Sequence, residues 1–116
     1  PAPIARAPYV PAIREAVDSP ALWFCLDIGH ARLNKELDVA IARLGPYAKQ
    51  IHFTDNFGQS DDHLIIGEGN FDYFPHLEFF RGFDGILLLE VIQLGTDTEP
   101  AKKSLERVRQ LLWGDR

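Results

Sequence analysis

A chain of 116 residues with 46% hydrophobic and 25% charged side chains has the ordinary composition of one soluble globular unit. No apolar run approaches the ~18–20 residues of a membrane helix, the longest being strand-sized, such as Ile86-Leu87-Leu88-Leu89. A net charge of −5, from 17 acidic and 12 basic residues, argues against a nucleic-acid partner, which calls for a basic face.

The chain opens with Pro1, Pro3, Pro8, Pro11 and Pro20, so residues 1–20 are expected to be a connecting segment carrying one short helix over Val10 to Val17. Leu22-Trp23-Phe24-Cys25-Leu26 reads as a buried strand, with Cys25 a small core thiol. Its lack of a disulfide partner and the absence of a basic-then-apolar leader make the cytoplasm the expected compartment. Leu33, Leu37, Ala40, Ile41 and Leu44 have the spacing of one helix, closed by Gly45-Pro46. A second strand covers Ala48 to Phe53.

Residues 54–70 are polar and glycine-dotted, hence a long loop, within which Leu64-Ile65-Ile66 suggests a short extra strand. Gly67-Glu68-Gly69 lacks the third glycine of a dinucleotide-binding turn. A helix is expected from Asp72, its cap, through Pro75 to Arg81, with Gly82 beyond it. Gly85 to Val91 is the strongest strand. The last helix has Thr98 as its cap, Pro100 in its first turn and a stripe of Ala101, Leu105, Val108, Leu111 and Leu112. Its Lys102, Lys103, Arg107 and Arg109 form a solvated face. Strands alternating with amphipathic helices imply βαβ units and a parallel sheet, open or closed into a barrel.

The metal-capable side chains gather at strand ends. Asp27 and His30 follow the first strand, His52 lies near the end of the second, Asp61 and His63 occupy the loop after it, and Glu90 ends the last. Parallel α/β folds place these ends on one face, where catalytic groups are built. Carboxylates with imidazoles suit Mn, Mg, Co or Zn, and such a cation would offset the mutual repulsion of the acids. Single residues have plainer readings. Asp27 can cap a helix, His52 can be a core histidine and His63 a solvated loop residue, while His76 falls on a helix surface. Glu90 is the hardest to explain so, because an unpaired carboxylate inside an apolar run is costly.

Leu26-Asp27-Ile28-Gly29-His30-Ala31 resembles the Asp-x-x-His strand end of the xylose isomerase-like TIM barrels, a superfamily of sugar phosphate isomerases and epimerases, ketose 3-epimerases, inositol-catabolism enzymes and AP endonuclease family 2. Ile51-His52-Phe53-Thr54-Asp55-Asn56, the run from Asp61 to Gly69, and Leu88-Leu89-Glu90-Val91 are similar to its following segments, from about residue 21 to the end. The resemblance implies a (β/α)8 barrel, here its C-terminal half over residues 21–116, with three strong parallel strands, one short strand and flanking helices. Asp27, His52 and Glu90 would be metal ligands. Glu90 would also act as acid and base on a sugar or sugar phosphate through an enediolate, and His30 and His63 would touch substrate. In the endonuclease branch, His30, Asp61 and His63 would join a multi-zinc cluster that attacks a phosphodiester. A whole barrel takes ~250 residues, so the sheet is expected to be completed by a missing N-terminal half-barrel or by a homo-oligomer. A non-catalytic assembly module is the remaining alternative.

Overall fold

The computed structural model describes residues 7–92 and 95–114. The first six residues of the expected connecting segment, with Pro1 and Pro3, lie outside the described residues. The elements are α1 (Val10–Val17), β1 (Phe24–Asp27), α2 (Ile28–Leu33), α3 (Leu37–Arg43), β2 (Ala48–Phe53), α4 (Leu77–Arg81), β3 (Ile86–Leu89) and α5 (Glu99–Trp113). The three strands form one parallel sheet in the order β1-β2-β3. Parallel neighbours need crossover connections, and these carry the helices onto one face of the sheet.

Strand alternation therefore separates two environments. Leu26, Ile51 and Phe53 point to the helical side and are buried. There Phe53 stacks on Tyr73 and meets Phe80 edge-on, both at 5.0 Å between ring centres, and Val108 and Leu112 of α5 join the same core. On the other face the register sets Cys25 beside Gln50 beside Ile86, then Asp27 beside His52 beside Leu88. Among the described residues no helix covers that face, and Ile86 and Leu88 are 59% and 41% exposed. It is the inner face of a partial (β/α) barrel.

Several expectations change in detail. The first strand begins at Phe24 and reaches Asp27, and Cys25 is exposed rather than a core thiol, because it faces the uncovered side. The helix expected over 33–44 is two: Lys35 adopts φ +57°, and this left-handed step separates α2 from α3. Leu64-Ile65-Ile66 is no strand, since a single antiparallel bridge joins Leu64 to Asp55. Instead Ile66 plugs the core, its N–H donating to Ser104 Oγ and its carbonyl accepting from Arg107.

The helix expected from Asp72 starts later, with a 3-10 turn over Phe74–His76 before α4. Asp72 accepts the Phe74 N–H in the turn ahead of it. In α5 the buried positions are Ser104, Val108 and Leu112, while Ala101 and Leu105 face water. The buried side of the helix thus includes Ser104, whose hydroxyl accepts the Ile66 N–H. Thr98 makes no side-chain cap, and Asp97 accepts the Glu99 N–H instead. His76, expected at the surface, is largely covered: it packs edge-on against Phe80, and its Nε2 lies 3.6 Å from Asp38.

Candidate metal centre

Each strand delivers one side chain to the same rim. Asp27 is the last residue of β1 and the cap of α2, and its two oxygens divide the work. Oδ1 accepts the His30 N–H at 2.9 Å, which ties off the helix start. Oδ2 faces inward, 3.3 Å from His30 Nδ1 and 3.5 Å from His52 Nδ1. Asp27 is thus the helix cap and also stands at the rim where His52 and Glu90 gather. His52 pairs across the sheet with Asp27, which brings the two side chains onto one face. Glu90 sits one residue beyond β3, held in line by its N–H bond to the Phe53 carbonyl at 3.0 Å.

The loop after β2 brings in the remaining two. His63 has φ +52°, a conformation uncommon outside glycine, and its carbonyl accepts from Ile92 N–H at 2.9 Å. In that pose His63 Nε2 and His30 Nε2 both lie 2.9 Å from Asp61, on its two different oxygens. The six residues close into a ring in which acids and imidazoles alternate. It runs Asp27, His30, Asp61, His63, Glu90, His52 and back to Asp27, with His63 Nδ1 3.9 Å and His52 Nδ1 3.3 Å from the Glu90 carboxylate.

Electrostatics divide the ring. The hydrogen bond to Asp61 raises the His30 pKa, against an opposing desolvation. Burial alone would raise the Asp61 carboxyl, but the hydrogen bonds from His30 and His63 outweigh it and hold the acid below its ordinary value. This side of the ring satisfies itself. On the opposite side, Asp27, His52 and Glu90 offer three ligand atoms within 4.8 Å of one another. There the Glu90 Oε2 atom is buried and receives no hydrogen bond. A buried carboxylate oxygen without a donor is what a cation would satisfy, and the set of two carboxylates and one imidazole is a hard-to-borderline ligand set. The three residues fit a divalent metal.

Three further residues support the site. Asp55 is fully buried and accepts four backbone N–H groups, from Asn56, Gly67, Gly69 and Phe71, at 2.8–3.1 Å. This gathers both ends of the loop that presents Asp61 and His63. Gly67, at φ +92°, and Gly69, whose absent Cβ would collide with Asp55, allow the backbone to wrap so closely. Arg32 of α2 bonds the Asn56 carbonyl at 2.7 Å and also reaches Asn70. Gln50 stands beside His52 on the inner face, its Oε1 3.0 Å from His52 Nε2. Alternation along β2 was the signal available for Gln50. The paired glycines Gly67 and Gly69, later in the loop that Asp55 opens, were the one available for Asp55.

A partial parallel barrel with acids and imidazoles at its strand ends defines a class of (β/α)-barrel enzyme-like proteins. The family model described as xylose isomerase-like TIM barrel matches residues 9–111, and the chain belongs to that family. It is 33% identical over 101 residues to an uncharacterized protein of Methanocaldococcus jannaschii, spanning 83% of this chain and 33% of that protein. A second uncharacterized protein of the same organism is 32% identical over 70 residues, 60% of this chain and 28% of its own length. Among solved structures, a D-tagatose 3-epimerase-like protein superposes with a TM-score of 0.73 at 29% identity, covering 91% of this chain and 40% of that one. The chain spans about a third of the length of the relatives it matches. Its fold is that of the sugar isomerases and epimerases.

Proposed function

We propose that this chain furnishes one part of the active site of a metal-dependent sugar or sugar phosphate isomerase or epimerase. The observation that carries the reading is the convergence of Asp27, His52 and Glu90 around a buried carboxylate oxygen that lacks a donor. A divalent cation held there, Mn, Mg, Co or Zn, would supply positive charge beside the oxygens of a hydroxy-carbonyl substrate. Glu90 would help to hold the cation and would also take a proton from the carbon beside the carbonyl and return it to the enediolate. His30 and His63, each anchored by Asp61, orient substrate hydroxyls. The residues expected at the rim are therefore all given roles.

The rest of the barrel comes from outside the described strands, either from further strands of a longer polypeptide or from a second copy. The exposed Ile86 and Leu88 on the inner face support this need for cover. The test is calorimetry with Mn²⁺ on the full chain and on Glu90→Gln. Binding in the first and its loss in the second is expected; identical titrations would remove the site.

A second reading, a zinc phosphodiesterase of the AP endonuclease kind, is favoured by one observation, the bonding of Asp61 to both His30 and His63 at 2.9 Å. In that case those three residues hold a second ion. Zinc counting separates the two, one ion per completed site for the isomerase and two or three for the nuclease. The net charge of −5 weighs toward the sugar.

A further inference from the structure

We infer that Gln50 is a positioning residue that fixes the tautomer of His52. Two residues apart on β2, both side chains share its inner face. Gln50 Oε1 lies 3.0 Å from His52 Nε2. An amide oxygen only accepts, so the imidazole hydrogen sits on Nε2 and Nδ1 keeps its lone pair.

A second observation points the same way. His52 Nδ1 is 3.3 Å from Glu90 Oε2 and 3.5 Å from Asp27 Oδ2, yet that glutamate oxygen receives no hydrogen bond. With the hydrogen on Nε2, His52 Nδ1 and these two carboxylate oxygens form a cluster of three acceptors. A carboxylate is a stronger acceptor than an amide, so without Gln50 the hydrogen would move to Nδ1 and bond Glu90 or Asp27, and His52 would present no lone pair to a cation. In purpose the inference rests on the metal-centre reading, but the tautomer is measured without metal.

The experiment is a long-range proton–nitrogen correlation on the histidine rings of the metal-free full chain, at a pH where imidazoles are neutral. Wild-type His52 is expected as the Nε2–H form and Gln50→Leu as the Nδ1–H form. Gln50→Glu, which keeps an acceptor in place, restores Nε2–H. Should leucine disturb the strand, Gln50→Lys puts a donor where the acceptor stood and gives the same reversal. In calorimetry Mn²⁺ affinity falls about 10–100-fold in Gln50→Leu, the usual effect of losing such a partner, and is retained in Gln50→Glu. An Nδ1–H form in the wild type overturns the inference, as does Gln50→Leu with unchanged tautomer and affinity. A wild type that shows Nε2–H and binds no Mn²⁺ removes the metal reading and still upholds the role of Gln50.

Discussion

Two carboxylates near the end of the sheet meet opposite fates. Asp55 is 1% exposed and is surrounded by four backbone N–H groups, so its charge is satisfied by the loop that it organises. Glu90 Oε2 is also buried, but it accepts no hydrogen bond, and the nitrogen beside it is His52 Nδ1 at 3.3 Å. Both acids end or follow a strand, and only their surroundings distinguish them. The contrast teaches that burial alone does not mark a functional carboxylate. What distinguishes it is the missing partner, since a buried carboxylate oxygen without a donor leaves a need that a cation or a water can meet. Thr54 Oγ1 and Asn56 Nδ2 share the lack of a partner, but they are neutral and carry no such demand.

The largest effect is expected on the satisfied side. Asp55→Ala leaves four N–H groups without their acceptor, and with each such loss worth about 1–3 kcal/mol, the chain should lose at least about 4 kcal/mol in denaturant unfolding. The loop carrying Asp61 and His63 should lose its amide protection first. A loss below about 1 kcal/mol would mean that the backbone groups find water readily, and the comparison would fail.

On the unsatisfied side the effect should reverse in kind. Glu90→Gln is expected to lower Mn²⁺ affinity by more than about 100-fold, beyond the usual effect of a supporting residue. Metal-free stability should hold or rise slightly, because a buried carboxylate oxygen without a hydrogen bond has been removed. A smaller effect again comes from Ser104→Ala. It strands the buried Ile66 N–H and should cost about 1–3 kcal/mol in unfolding, with metal affinity unchanged.

How much of this was legible in the chain beforehand follows from the same physics. Asp27 and Glu90 could be placed because an apolar run fixes a strand and its first charged residue marks the end, and His52 because it lies near the end of the strand from Ala48 to Phe53. The three parallel strands and their covering helices followed from the alternation of pattern. Cys25 was misplaced because an apolar run does not say which faces are covered, and here only one is. Ser104 was passed over because a hydroxyl in a helix looks like a surface residue until Ile66 is seen to need it. The break at Lys35 is invisible to periodicity, since Leu33, Leu37 and Ala40 keep helical spacing across it. Asp55 and Gln50 act through partners distant in the chain or on one strand face, and composition does not reveal such bonds.

The smallest effect concerns the side of the ring that satisfies itself, and its sign can be worked out. His30 has a folded pKa above its ordinary 6.5, raised first by the hydrogen bond to Asp61. Its contribution to metal-free stability is therefore full below that ordinary value and disappears as pH rises through the folded one. Asp61 lies below its ordinary 3.8; burial pulls the other way but is outweighed by the two histidine bonds. Its contribution is present above that value and disappears as pH falls through the lowered one. The two together stabilise the chain between roughly pH 4 and 6.5 and fade on both sides of that window. Because His30 is more than half exposed, solvent screening keeps the gain below about 1 kcal/mol. Unfolding of metal-free wild type and Asp61→Asn should thus differ most near pH 5–6 and converge by about pH 9. A gap that widened toward alkaline pH would mean that Asp61 is held by something other than its two imidazoles, and this half of the ring would no longer count as self-satisfied.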